Sequence, residues 1–270
     1  MDSVVGTARA PLALISDSCG FLRGMQSSVL TSLSDAAALL GEHAGMATTV
    51  MLVTAGDDQE LVAELRRAAR HVCGVYLART ATQRSHAAQD RLAGELPIIT
   101  DLQTTATAVI AAATTALSRA GIPIGDARMV ITGNARNPLV AVLAAATGIG
   151  EITRWGLDDA QDFPLRALFS RVDVVIDLLG ISEPDRATLD AIRVPIIAVD
   201  DPVMSLLALP ILLGVALAAG RPPRHADLLA AARALVDLTP PDRLLPQLVD
   251  TGACGNRIAS THPPLSHPFR

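Results

Sequence analysis

The chain has 270 residues, half of them hydrophobic, which is enough for a sizeable core in one large domain or two modest ones. Its formal net charge is -5 and its aromatic content is 2%, so it offers neither a basic surface for phosphate backbones nor many rings for base stacking. We therefore expect no nucleic-acid partner.

The positive side chains are all arginine, because the sequence contains no lysine. Chemistry that needs an amine as a proton shuttle or as a Schiff base is therefore excluded. The three cysteines, Cys19, Cys73 and Cys254, are widely separated and form no CxxC spacing. This pattern argues against a disulfide framework or a zinc site, and it fits a reducing cytoplasm.

Two apolar segments bear on export and membrane insertion. The run from Pro11 to Ile15 lacks the basic start and the length of a signal peptide. The uncharged stretch from Pro202 to Gly220 approaches the length of a membrane span, but Ser205 and Pro210 interrupt it. We therefore expect a cytoplasmic protein without a membrane span, in which this stretch is a helix buried between layers.

Short β-branched runs alternate with helical segments along almost the whole chain. The predicted strands are Thr48 to Val53, Val72 to Leu77, Pro97 to Thr100, Arg128 to Thr132, Val172 to Ile176 and Val194 to Val199. The clearest helix follows Asp57, which can cap it, and places Leu61, Leu65 and Ala68 on one apolar stripe. Strands joined by crossover helices predict an α/β fold with parallel sheets and helices on both faces.

A resemblance to a known family rests on the stretch from Leu96 to Leu143, LPIITDLQTTATAVIAAATTALSRAGIPIGDARMVITGNARNPLVAVL. In order and spacing it resembles the passage of bacterial-type malic enzymes that runs from a DDQ motif, through a long helix, into the dinucleotide-binding strand and turn. The similarity extends back through Leu39 to Leu77 and forward through Val172 to Ile176 and Ala208 to Leu217.

The resemblance implies a domain organisation. We expect a remnant of the malic-enzyme substrate domain at residues 1–101, a Rossmann-like, NAD-binding-like domain at 102–240 and a Pro-rich C-terminal tail at 241–270. It also implies that the family's N-terminal region, which carries its catalytic tyrosine, is missing, and that the stretch between Asp200 and Leu206 is shortened.

The resemblance further implies that the metal site has been lost. The family's GxNLED motif supplies a Glu and an Asp to a divalent metal, and the matching residues are Gly74, Val75, Tyr76, Leu77, Ala78 and Arg79. A third ligand is the second Asp of the family's DDQ motif, and the matching residues are Asp101, Leu102 and Gln103. A hard cation needs several oxygen ligands, so we expect no metal here.

Other catalytic groups of the family are replaced as well. Its lysine matches a position near Ala36 or Ala37, and its paired asparagines match approximately Met204 and Ser205. Without a metal, β-keto acid decarboxylation lacks its usual electron sink. We therefore expect no oxidative decarboxylation of malate.

Four residues are the candidates for chemistry at the former metal site: Tyr76, Arg79, Asp101 and Gln103. We predict that Arg79 and Asp101 form a direct or water-bridged pair lining the cleft, with Tyr76 and Gln103 around it, because a guanidinium can hold a carboxylate and still present donors to an anion. The alternative is that Arg79 points to solvent and Asp101 caps the next helix.

The nucleotide-binding turn is also altered. The candidate cofactor-binding residues are Gly133, Asn134, Ala135, Arg136 and Asn137. The first glycine of the dinucleotide fingerprint is kept, but the second is Ala135, which would crowd a pyrophosphate, and the third is Pro138. We therefore expect no cofactor, with NAD(P) as the alternative.

Three functions remain open. The first is a repurposed, metal-independent protein that binds or transforms a small carbonyl or carboxylate compound. The second is a non-catalytic interaction subunit, and the third is an NAD(P)-dependent oxidoreductase with a substrate other than malate. For each we expect a homo-oligomer, such as a homodimer, and the arginine-only, alanine-rich composition is typical of a GC-rich genome, where such paralogues can enter specialised metabolism.

Overall fold

The computed structural model of the protein describes residues 10–17, 25–160 and 162–260. Within them the strands are β1 Leu12–Asp17, β2 Thr48–Val53, β3 Gly74–Ala78, β4 Ile98–Thr100, β5 Arg128–Thr132, β6 Glu151–Trp155, β7 Val174–Asp177 and β8 Ile196–Ala198. The α-helices are α1 Met25–Ala44, α2 Asp58–Ala68, α3 Thr82–Arg91, α4 Asp101–Arg119, α5 Leu139–Thr147, α6 Glu183–Ala191, α7 Met204–Leu207, α8 Leu209–Ala219, α9 His225–Leu238 and α10 Leu248–Ser260. Among these helices, none is long and apolar enough to cross a membrane.

The chain divides into two compact units. The first contains the described residues of Met1–Asp101 and Gly252–Arg270 together with Leu213–Pro222, and the second contains Leu102–Leu212 and Pro223–Thr251. Each unit is built on its own four-stranded parallel sheet. The predicted α/β class, with a Rossmann-like arrangement of parallel strands and helices, is therefore confirmed.

The first sheet has the strand order β2-β1-β3-β4. Because side chains alternate along a strand, Ala13 and Ile15 of β1 face one side together with Val75 and Leu77 of β3. This face forms a buried core with apolar residues of α2 and α3. The opposite face is covered too, since a Cβ added at Gly74 would lie 3.0 Å from Leu213 of α8.

Helix α2 forms where the sequence predicts it. The Asp57 carboxylate accepts hydrogen bonds from the backbone N–H groups of Gln59 and Glu60, both at 2.8 Å, and so satisfies two donors of the first turn. The predicted apolar stripe lies in the core, with Leu61 and Leu65 fully buried.

The second sheet has the order β6-β5-β7-β8. On one face Val130 and Val175 pack with Leu165, Phe169 and Leu189 in a second apolar core. Helix α4, rich in alanine, is buried on most of its circumference, as expected for a helix that is apolar all round.

Three segments differ from the sequence-based expectations. Strand β1 was not among the predicted strands, although all six of its residues are buried. The uncharged stretch from Pro202 forms two largely buried helices, α7 and α8, instead of one. The expected Pro-rich tail contains helix α10, which fits closely against its neighbours because a Cβ at Gly252 would lie 2.7 Å from the Ala44 backbone.

Candidate functional site

Each sheet has one point where the strand order reverses. In the first sheet β1 is followed on one side by β2 and on the other by β3, and in the second β5 has the same relation to β6 and β7. Loops diverge at such a point and leave a crevice at the carboxyl ends of the two strands, where α/β proteins generally bind ligands. Each unit therefore has one candidate site.

At the first crevice the residue after β3 adopts an unusual conformation. Arg79 has a φ of 53°, in the left-handed region that residues with a Cβ rarely adopt. Its backbone N–H donates to Asp101 Oδ2 at 2.8 Å, while its Nη2 donates to the Ser32 hydroxyl of α1 at 3.2 Å. The arginine side chain is exposed.

The direct form of the predicted side-chain pair is replaced by a backbone contact, and the water-bridged form stays a prediction. Arg79 and Asp101 lie together, but no ion pair between their side chains is among those of the described residues. The backbone amide of Arg79 contacts the first residue of α4, and its side chain extends to α1.

The other two catalytic candidates lie in a strand and in a helix. Tyr76 is 3% exposed in the middle of β3, where it pairs with Leu14 of β1. Gln103 belongs to the second unit, and its Nε2 donates to the Pro223 carbonyl at 3.5 Å.

An ionic contact that the sequence did not predict lies at the same crevice. Asp17, at the end of β1, is 2% exposed, and its Oδ2 lies 2.8 Å from Arg84 Nε. That N–H is not aligned for a hydrogen bond, so the attraction there is ionic, and Arg84 Nη2 donates instead to the carbonyls of Ala55 and Asp57, both at 3.1 Å. A buried carboxylate needs such a partner, because an unpaired buried charge is strongly destabilising.

The residues at this crevice do not fit the divalent cation that the resemblance implies. Among the described residues, no three His, Cys, Asp or Glu side chains are grouped so that they could hold a metal ion. Two of the corresponding positions carry the aliphatic side chains of Ala78 and Leu102, which have no oxygen to offer.

At the second crevice a side chain fills the space beside the glycine turn. Gly133 has a φ of 67°, and a Cβ added to it would lie 2.5 Å from Leu179 Cγ. The two loops are joined further by Arg136, whose Nη1 donates to the Leu178 carbonyl at 3.1 Å. Leu179 therefore occupies the space beside the first glycine of the turn, whereas the position that approaches a pyrophosphate in the dinucleotide fingerprint carries Ala135 instead of glycine.

The loop that carries Leu179 is held in place by Asp177, at the end of β7. Its Oδ1 accepts from the Thr132 hydroxyl at 2.7 Å and from the Gly180 N–H at 2.9 Å, and its Oδ2 accepts from the Ile181 N–H at 2.8 Å. The side chain is 1% exposed. A carboxylate with this many donors fixes the path of the loop across the crevice.

The remaining cofactor candidates show two unsatisfied acceptors. Asn137 is 4% exposed and its Nδ2 donates to the Leu102 carbonyl at 2.9 Å, which directs its Oδ1 elsewhere. That oxygen and Asn134 Oδ1 are buried and have no hydrogen-bond partner. Ala135 and Arg136 are exposed. A phosphate brings acceptors only, so these two oxygens do not favour it.

Solved structures show to which fold the chain is similar. The malic enzyme of Pyrococcus horikoshii matches with a TM-score of 0.72 and 16% identity, over 94% of this chain and 77% of that one. The NAD-dependent malic enzyme of Thermotoga maritima matches with 0.70 and 16%, over 93% and 84%. The malic enzyme of Entamoeba histolytica matches with 0.69 and 16%, over 93% and 69%.

These matches show a malic-enzyme-like fold, as the resemblance predicted, and at this identity they show the fold alone. No protein-family model matches the sequence. No curated protein matches it either.

Proposed function

We propose that the first crevice binds a small carboxylate or carbonyl compound through Arg79, without a divalent metal, and that the chain does not carry out the oxidative decarboxylation of malate. The proposal rests on two features of Arg79. Its backbone N–H donates to the Asp101 carboxylate at 2.8 Å, and its side chain with the guanidinium is exposed.

The guanidinium has donors to spare. It carries five N–H groups in a planar fork, and the Ser32 hydroxyl accepts from Nη2 at 3.2 Å. A hydroxyl partner orients the arginine without neutralising it, whereas a carboxylate partner would do both. The remaining donors suit the two oxygens of a ligand carboxylate or the oxygen of a carbonyl.

One of the two acids at this crevice is balanced by an arginine other than Arg79. Asp17, the buried acid of the crevice, lies 2.8 Å from Arg84, which offsets its charge. The other acid, Asp101, accepts the backbone N–H of Arg79 and does not occupy its guanidinium. The positive charge of Arg79 therefore remains available to a ligand.

The binding test uses pyruvate and malonate as probes, titrated by calorimetry with EDTA present. We expect both to bind, and Arg79→Gln to weaken binding by about tenfold or more, the usual cost of a lost charge-assisted hydrogen bond. The matched control is Arg193→Gln, since Arg193 is also an exposed arginine with a left-handed φ, 59°, but lies in the second unit. Equal binding by wild type and Arg79→Gln would refute the proposal.

The catalytic part is tested with malate, Mg²⁺ or Mn²⁺ and either nicotinamide cofactor. We expect no turnover above a blank without enzyme, because Ala78, Arg79 and Leu102 supply no ligand oxygen at the former metal positions. Metal-dependent turnover would contradict it, whatever the result of the binding test.

A second candidate is an interaction subunit, including a homodimer. It is favoured by two exposed apolar side chains of the second unit, Leu157 at 69% and Phe163 at 46%. Analytical ultracentrifugation of Leu157→Ser/Phe163→Ser beside wild type tests this candidate. A mass that is the same for both proteins would argue against an interface at these residues.

A further inference from the structure

We propose that the second unit has a separate site for a free zwitterionic amino acid with a branched aliphatic side chain. The site is a groove with a cavity volume of about 160 Å³ between α4, the end of α5 and α9. It is lined by Ile110, Thr114, Thr147, Leu229, Ala232, Arg233, Val236 and Asp237.

The floor of the groove is apolar. Helix α9 contributes Leu229, Ala232 and Val236, which recur at the spacing of one helix face. From α4 comes Ile110, which is 1% exposed. A floor of this kind gains free energy by covering apolar surface, so it suits an aliphatic side chain better than a sugar or a phosphate.

The rim carries two opposite charges one helical turn apart. Arg233 and Asp237 are both exposed, and within the described part of the chain neither takes part in an ion pair. Two charges at this spacing are normally expected to attract each other across the turn. The charged groups of Arg233 and Asp237 are therefore available to a ligand in the groove.

Helix stability does not account for this pair. Asp237 lies in the last turn of α9, where the helix dipole disfavours a negative charge. The order Arg followed by an acid four residues later is also the less favourable orientation for an intrahelical pair. The pair therefore adds little to helix stability, whereas an external ammonium group beside Asp237 would be favoured by the negative end of the helix dipole.

An amino acid matches the groove in charge, spacing and size. Side chains at this spacing have Cβ atoms about 5–6 Å apart, a distance that the ammonium and carboxylate of one α-carbon can bridge with help from the long arginine. The Thr114 hydroxyl lines the same groove. The volume of about 160 Å³ is smaller than that of pockets for drug-sized ligands, about 300 Å³ or more, and therefore favours a ligand as small as one amino acid.

The first experiment is calorimetric titration with L-leucine at low salt. We expect a dissociation constant on the order of 1 mM. Isoamylamine lacks the carboxylate, 4-methylpentanoate lacks the ammonium group and glycine lacks the aliphatic side chain, so each should bind at least about threefold more weakly. No detectable heat with roughly 10 mM L-leucine would overturn the proposal.

The second experiment locates the site. Arg233→Gln and Asp237→Asn should each weaken L-leucine binding by about three- to tenfold and leave the thermal midpoint nearly unchanged, since both side chains are exposed. Arg79→Gln removes the carboxylate site proposed in the first unit, so the L-leucine binding that Arg233→Gln weakens should persist in Arg79→Gln, which separates the two sites. Equal affinity in the Arg233 and Asp237 variants, or a dimer that dissociates in them, would overturn the proposal.

Discussion

Arg79 donates its backbone N–H to the Asp101 carboxylate at 2.8 Å while its own φ is 53°. Both facts concern the turn that leads out of β3, where Asp101 accepts from the first amide after the strand. The hydrogen bond to a carboxylate helps to offset the conformational cost of an arginine at this φ. Position 79 therefore combines local strain with an exposed cation.

Replacing Arg79 separates the backbone strain from the side chain. We expect Arg79→Gly to be more stable than Arg79→Ala by about 1 kcal/mol, because only glycine adopts a positive φ without steric cost. Both variants lack the guanidinium, so the comparison isolates the backbone. Urea denaturation measures the difference.

The same pair of substitutions at Arg193, whose φ is 59°, provides the control. The Gly-over-Ala advantage should reappear there. If alanine equals glycine at position 79 but not at position 193, the left-handed conformation of Arg79 is wrong.

Gly133 should tolerate no side chain while Leu179 is present. Gly133→Ala places a Cβ 2.5 Å from Leu179 Cγ and forces alanine to a φ of 67°, so we expect a loss of more than about 2 kcal/mol. Gly180→Ala has a φ of 83° but open space, and should cost only about 1 kcal/mol. The double variant Gly133→Ala/Leu179→Ala should regain the steric part, and strict additivity in this cycle would contradict the contact.

Asp177→Asn should lower the stability of the protein strongly, although the two side chains are similar in size. An asparagine keeps one acceptor, but its NH₂ group would face one of the donors that now meet the carboxylate, such as the Thr132 hydroxyl at 2.7 Å or the Ile181 N–H at 2.8 Å. We expect a loss of about 2–4 kcal/mol in the free energy of unfolding. Thr132→Val removes a single donor and should cost clearly less; a smaller effect for Asp177→Asn than for Thr132→Val would argue against this network.

The Arg128–Asp173 contact should make the stability of the protein depend on pH in the acidic range. The Arg128 guanidinium donates to Asp173 at 3.0 and 3.1 Å and lowers the pKa of that carboxyl below its usual 3.8. A carboxyl whose pKa is lower in the folded than in the unfolded state stabilises the protein at pH values above the unfolded-state pKa. This stabilisation is lost as the pH falls through the folded-state pKa.

Urea denaturation of wild type and Asp173→Asn at several pH values tests this dependence. Wild type should be the more stable at pH near neutrality, and the difference should shrink below about pH 3.8. Asp185→Asn, which removes the partner of the more exposed Arg166, should show the same sign with a smaller amplitude. A difference that grows toward low pH would contradict the assignment.

Much of the fold could be predicted from β-branched runs. Strands β2 and β5 have the predicted bounds, since runs such as Thr48–Val53 and Arg128–Thr132 are rich in Thr, Val and Ile. Strand β1 was not predicted because its sequence, LALISD, has only one β-branched residue. A short Leu- and Ala-rich run does not distinguish a buried strand from a helix.

Helix α10 was not predicted for a related reason. Gly252 and Gly255 lower its intrinsic helix propensity, so the segment has no strong local signal. In the folded chain these glycines are what the packing requires, since a Cβ at Gly252 would lie 2.7 Å from Ala44 and one at Gly214 would lie 2.5 Å from the Gly255 carbonyl. Tertiary packing outweighs propensity here.

The resemblance predicts that Arg79 and Asp101 lie together, but not which of their atoms meet. The proximity of Arg79 and Asp101 followed from the resemblance, yet no local rule places an arginine at a positive φ. The ionic contact of Asp17 with Arg84 joins residues on β1 and α3, and it could not be foreseen without assigning β1 as a strand.

The interleaved make-up of the two units has a consequence for synthesis. The first unit is completed by Leu213–Pro222 and by the residues of α10 from Gly252 on, so its packing cannot close until that helix has left the ribosome. During synthesis of the second unit, one face of the N-terminal sheet therefore remains partly uncovered. A nascent chain arrested before Leu248 should be a better chaperone client than the released protein, and it should be cut more readily by a protease.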